Sequence, residues 1–171
     1  MERRSVEAIV RALNEVNVRY LIVGGLAVVA HGYLRFTADV DLILDLDEDN
    51  LRRAMAAFPA LGYRPLVPVA LDEFVDPQAR ARWIREKGLT VFSLFSPDHP
   101  ATNIDLFVEL PLDFERAYAR AARMEIAPSL AAPFVSLDDL LFLKKQAGRP
   151  RDLEDIERLT VLKQESANEG S

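Results

Sequence analysis

Asp39 and Asp41 stand two residues apart in the segment DVDLILD, between β-branched and leucine side chains. That spacing puts both carboxylates on one face of a strand. Asp105, between Ile104 and Leu106 in NIDLFVEL, repeats the arrangement on a second apolar segment. Aspartate is depleted in strands, and carboxylates sharing a sheet face repel unless positive charge lies between them. Divalent cations meet that need. Three carboxylates from two neighbouring strands can hold two ions ~3.5–4 Å apart, an arrangement suited to in-line displacement at phosphorus. The chain has no cysteine and only His31 and His99 as histidines, so a metal here takes oxygen ligands, which points to Mg²⁺ or Mn²⁺. The alternative is an Asp-x-Asp pair at a solvated strand edge. Asp45, Asp47, Glu48 and Asp49 fit that plainer role, as a turn and a helix start.

Gly24-Gly25 follows an apolar run and precedes a small, apolar segment. A glycine pair between strand and helix lets backbone amides approach a phosphate. Neither a lysine-bearing P-loop nor G-x-G-x-x-G follows it, so neither of those nucleotide folds is supported. Arg35 is placed to clamp a phosphate or to pair with one of the motif aspartates, and Thr37 to order the strand entrance by hydrogen bonding. Near the C-terminus, Leu137, Leu140, Leu141 and Lys144 are spaced i, i+3, i+4, i+7. Lys144 therefore sits in an apolar stripe and needs an anion, while Lys145 turns to solvent. Asp152, behind Pro150, suits the first turn of the next helix and lies beside its stripe of Leu153, Ile156 and Leu159. Arg149 is three residues from it, close enough for an ion pair that is purely structural. His31 reads as a hydrogen-bonded structural histidine, and Trp83, Phe92 and Phe95 as core.

The positioning elements follow from periodicity. Val6, Ile9, Val10, Leu13 and Val16 predict a helix capped by Ser5. Tyr20–Val23 predicts a buried strand, Leu26–Tyr33 a helix beginning at the glycine pair, and Asp39–Asp45 a strand. Glu48–Phe58 reads as helix, ending near Gly62. Residues 59–77 hold four of the ten prolines and read as an irregular excursion. Asp76–Glu86 predicts helix, Leu89–Phe95 and Asn103–Leu110 strands, and Asp113–Met124 helix. Ser136–Ala147 and Pro150–Val161, broken by Gly148, close the chain as two helices. The expected class is α+β, a mixed α/β sheet with helices packed on it.

The whole chain has 171 residues, half of them hydrophobic, and a net charge of −6. This suits one globular domain with a full core and no staples. The expected unit spans 1–162, with a core of about 18–110 and a helical extension of about 134–162; residues 163–171 read as a frayed tail. The longest stretch without polar side chains, Leu21–Ala30, is ten residues, about half of what a membrane span requires. The charged start is not followed by a signal-like segment, so no membrane is expected and the compartment is cytoplasmic. An acidic domain lacks the general field of a non-specific nucleic-acid binder, though a local basic cleft remains open.

The stretch Leu21–Leu44, LIVGGLAVVAHGYLRFTADVDLIL, resembles motif I of the polymerase-beta-like nucleotidyltransferase superfamily, with 13 residues between Gly25 and Asp39. Asp105 matches that superfamily's third carboxylate. Arg35-x-Thr37 before the aspartates, and LKKQAGRPRDLEDI with its Lys-x4-Arg-x2-Asp-x2-Asp pattern, are similar to a small bacterial branch that includes AbiEii-like type IV toxins. The likeness runs from about Tyr20 to Leu159. Gly-Gly stands where Gly-Ser is commoner, so a serine contact to phosphate is absent. The resemblance implies a nucleotidyltransferase-like fold with a C-terminal helical extension. It implies transfer of a nucleoside monophosphate from an NTP to an acceptor hydroxyl, on a tRNA end or a protein, with an antitoxin as partner. It also implies that Asp39, Asp41 and Asp105 hold Mg²⁺ (or Mn²⁺), that Gly24, Gly25, Arg35, Thr37 and Lys144 bind nucleotide, and that Arg149 and Asp152 support them. Two rivals stay open: a non-catalytic interaction module on the same fold, and a metal-dependent phosphohydrolase.

Overall fold

A computed structural model describes residues 1–170. Seven strands form one sheet: β1 (Tyr20–Val23), β2 (Asp39–Leu44), β3 (Arg64–Pro65), β4 (Val91–Phe95), β5 (Asn103–Phe107), β6 (Ala122–Ala127) and β7 (Leu130–Phe134), in the order β3-β4-β5-β2-β1-β7-β6. The sheet is mixed, as expected: β2 runs parallel to β5 and β1 parallel to β7, and the other pairs are antiparallel. Seven α-helices accompany it: α1 (Arg3–Glu15), α2 (Gly24–Ala30), α3 (Glu48–Ala57), α4 (Pro77–Lys87), α5 (Phe114–Ala119), α6 (Leu137–Ala147) and α7 (Pro150–Glu169). Among the described residues no helix is long and apolar enough to cross a membrane.

The central strands are two-faced. Val40, Leu42, Phe92, Leu94, Ile104 and Leu106 are buried, while Asp39, Asp41, Ser93, Asn103 and Asp105 between them are only partly covered. A period of two thus separates an apolar face from an acidic one. On the apolar side Trp83 stacks on Phe92, ring centroids 5.0 Å apart, and Phe74 leans on the same ring. α2 lies against β1 and β2 and touches α6, which pairs with α7. This chain of contacts carries the C-terminal helices to the acidic side.

Several expectations are corrected. Ser5 is no cap: α1 starts earlier, at Arg3, and the Ser5 hydroxyl is buried against His99 Nδ1 at 2.8 Å. α2 begins at Gly24 itself and stops at Ala30. The helix expected over Asp113–Met124 ends at Ala119 and gives way to the β6–β7 hairpin, turning at Ser129 with φ of 60°. Alanine and arginine favour helix locally, but pairing with β7, itself docked on β1, overrides that preference. Phe95 is only half-buried, under the Arg64 guanidinium rather than in the core. α7 continues to Glu169 through the polar stretch expected to fray, with Lys163 paired to Asp138; Ser171 lies outside the described residues.

Candidate functional site

The acidic face is built by register. β2 and β5 run parallel with Asp41 directly beside Asp105 and Asp39 beside Asn103. On the far side of β5, Ser93 of β4 pairs with Asp105 and donates its hydroxyl to Oδ1 at 2.5 Å. Burial, then the charges of Asp105 and Asp39, push the Asp41 carboxyl up to about 7, with Lys144 and Arg149 pulling the other way. Burial and Asp105 also raise Asp39. These are carboxylates that lack sufficient positive charge of their own.

Gly24 closes the face from β1. Its φ is +65°, and a Cβ there would come within 2.0 Å of Asp41 Oδ2. Only glycine combines that left-handed backbone with so close an approach. A Cβ on Gly25 would meet Thr37 Oγ1 at 2.5 Å, so Thr37 packs against the second glycine at the entrance to β2. Both glycines therefore leave the backbone open toward the residues that precede and form β2.

The cations expected to serve the site are already paired. Lys144 is 6% exposed, and its Nζ lies 3.0 Å from Asp152 and 2.9 Å from Asp155. Its need for an anion is met by two carboxylates on α7. Arg35 pairs with neither motif aspartate: Nε and Nη2 donate to the two oxygens of Asp155 at 2.8 Å each. Arg149 donates its backbone N–H and its Nε to Asp152 Oδ2 at 3.1 and 2.8 Å, so the structural role of that pair is realised. Burial pushes the Asp152 carboxyl up, but the hydrogen bonds from Arg149 and Lys144 outweigh it and hold it below the usual range. Three cations and two buried carboxylates leave one positive charge, close enough for Lys144 and Arg149 to act on Asp41. Arg149, its side chain 73% exposed, is the member of this group most open to a ligand.

Asp155 closes the Lys-x4-Arg-x2-Asp-x2-Asp pattern but has no role assigned from sequence, and Ser93 belongs to no sequence pattern. The signal for Asp155 was its place three residues after Asp152 on the face of α7 that buries Leu159. Ser93 was legible only as the polar residue between Phe92 and Leu94; its pairing with Asp105 needed the sheet. His31 accepts its structural role, with Nε2 2.8 Å from the Val135 carbonyl.

The donor chemistry suits a hard divalent cation: oxygen atoms only, on carboxylates that repel one another. Among the described residues no three His, Cys, Asp or Glu side chains are already gathered around one point as a metal cage.

A family model described as a nucleotidyltransferase of unknown function (DUF6036) matches residues 4–169. No curated protein matches the sequence. Two solved structures of ANT(2'')-Ia are similar in fold. The solution structure, of an antibiotic-resistance factor with substrate-regulated conformational dynamics, has a TM-score of 0.56 at 16% identity, covering 98% of this chain and 91% of that one. The crystal structure in complex with adenylyl-2''-tobramycin has a TM-score of 0.52 at 13% identity, covering 99% and 98%.

Proposed function

The chain belongs to the DUF6036 nucleotidyltransferase family, and from that membership we propose that it moves a nucleoside monophosphate from an NTP to an acceptor hydroxyl. The observation that carries this reading is the register of Asp41 against Asp105, with Asp39 on the same face and Gly24 held open beside Asp41. The acceptor oxygen attacks the α-phosphorus, the bond to the bridging oxygen breaks, and pyrophosphate leaves with its electron pair. Asp105 accepts the acceptor's proton. Mg²⁺ (or Mn²⁺), held by Asp39, Asp41 and Asp105 with nucleotide oxygens, would neutralise charge developing on the phosphates. Backbone amides at Gly24 and Gly25 receive the triphosphate, and Thr37 keeps the entrance to β2 against Gly25. Arg149 contacts phosphate. Lys144 and Arg35 act through Asp152 and Asp155 rather than on the nucleotide directly, since both are committed to buried carboxylates.

The acceptor we favour is an RNA end, received by the exposed Lys145, Arg149 and Arg151 at the junction of α6 and α7. Net charge of −6 limits this to one strand end rather than an extended duplex. The Arg35-x-Thr37 and Lys144-to-Asp155 segments support the toxin-like branch, with an antitoxin as protein partner and the cytoplasm as its compartment. A non-catalytic module is the second reading, favoured by the commitment of Arg35 and Lys144 to the buried carboxylates of α7.

The test is thermal melting with Mg²⁺ and a non-hydrolysable NTP. At a hundred times the dissociation constant, ligand linkage adds about 2.7 kcal/mol. The combined Asp39→Asn, Asp41→Asn variant should fold and lose that stabilisation. An equal shift in both proteins would move the nucleotide off this face.

A further inference from the structure

Ser93 belongs to no motif, yet among the described residues it is the one hydroxyl that the sheet register delivers to a candidate site carboxylate. β4 runs antiparallel to β5, Ser93 faces Asp105 across the ladder, and Phe92 and Leu94 on either side are 1% and 0% exposed. The alternation leaves the Ser93 side chain on the acidic face with no choice of direction. Its Oγ–H donates to Asp105 Oδ1 at 2.5 Å, a short, charge-assisted bond. On the other side of β5, Asp41 stands at the same level as Asp105, and the two carboxylates repel each other. The Ser93 hydrogen bond holds the Asp105 carboxylate in place against that repulsion.

We propose that Ser93 is a positioning residue for the transfer reaction: by holding Oδ1 of Asp105 it fixes the direction of Oδ2, the oxygen that meets the acceptor hydroxyl. The inference rests on the nucleotidyl-transfer reading and deepens it. Ser93 adds no charge and takes no part in holding the triphosphate, which lies on the Gly24-Gly25 side of β2. Its contribution is therefore to turnover and not to nucleotide affinity. A hydroxyl at this position is what matters; threonine supplies one on a side chain that strands tolerate well.

The experiment compares wild type, Ser93→Ala and Ser93→Thr for pyrophosphate release from NTP with total cell RNA and protein supplied as acceptors, and for the dissociation constant of an NTP. Loss of a hydrogen bond to a charged group predicts about a ten- to hundredfold fall in kcat for Ser93→Ala, with NTP affinity within about twofold of wild type. Ser93→Thr should restore kcat. A Ser93→Ala enzyme with wild-type kcat, a Ser93→Thr enzyme as slow as Ser93→Ala, or a parallel loss of affinity and kcat would each overturn the role. A crystal structure of Ser93→Ala reads the same relationship without turnover: Asp105 should adopt a different rotamer, and an unmoved carboxylate would refute the proposal. Wild-type protein that binds NTP and releases no pyrophosphate with those acceptors present would instead defeat the transfer reading, leaving the crystallographic arm to decide Ser93.

Discussion

Arg35 and Asp155, 120 residues apart, meet through two parallel hydrogen bonds of 2.8 Å, and Asp155 takes Lys144 on the same carboxylate at 2.9 Å. One buried side chain of α7 thus ties the segment leading into β2 to α6. The arrangement keeps the Arg35-to-Thr37 strap, which packs on Gly25, in a fixed relation to the C-terminal helices. It also gives two cations buried beside an acidic face carboxylate partners of their own.

Asp155→Asn removes one partner of this cluster and leaves Arg35 and Lys144 short of charge. Breaking a buried pair from one side costs roughly 3–5 kcal/mol, so chemical denaturation should show a large loss. Arg35→Gln alone should be costly for the same reason, and the double variant should cost clearly less than the sum of the two. Strict additivity would mean that the pair is not coupled in solution.

The Asp41 carboxyl, pushed up to about 7 by burial, Asp105 and Asp39, makes stability depend on pH. Its ordinary value is near 4, so between about pH 4 and 7 the folded protein holds a proton that the unfolded chain has released. Stability contributed by this group is present at the low end of that window and is lost as pH rises through about 7. Melting curves from pH 4 to 8 should show Asp41→Asn gaining on wild type as pH increases. Binding of Mg²⁺ with NTP competes with the same proton and should weaken below about pH 7. Parallel profiles for the two proteins would contradict this account of the acidic face.

Gly24→Ala tests the cradle. The new Cβ meets Asp41 Oδ2 at 2.0 Å on a backbone with φ of +65°. Left-handed backbone costs an L-residue roughly 1–2 kcal/mol, and Asp41 must swing aside. Calorimetry should find the variant folded, less stable, and deficient in NTP binding. Gly88→Ala serves as the control: it shares a positive φ, 59°, and its Cβ would meet nothing within 4 Å. Equal NTP affinity in both variants would show that the space beside Asp41 is not used.

Much of this site was legible because it depends on short-range pattern. Asp39, Asp41 and Asp105 could be assigned to one kind of face from alternation alone, and Gly24-Gly25 to a strand–helix junction from its neighbours. Lys144 was recognisable as inward-facing from the stripe of Leu137, Leu140 and Leu141. What pattern could not supply was partnership. The stripe required an anion for Lys144 but not two, and nothing local joined Arg35 to Asp155. The β6–β7 hairpin escaped because its alanines, and Arg120 and Arg123, continue the helical signal of Phe114–Ala119. Its strand state comes from β1, a hundred residues earlier in the chain, through the Ile22–Phe134 pairing.

The proposed function requires the face carrying Asp39, Asp41 and Asp105 to transfer a nucleoside monophosphate. The decisive measurement is incubation with cell extract, Mg²⁺ and each α-labelled NTP, with Asp39→Asn, Asp41→Asn protein in parallel. Wild type should release pyrophosphate and leave the label on a product destroyed by nuclease and resistant to protease, and the double variant should leave none. Label that withstands nuclease and is lost to protease would replace RNA by protein as acceptor. Release of free phosphate, or equal labelling by the double variant, would show that this face does not transfer a nucleoside monophosphate.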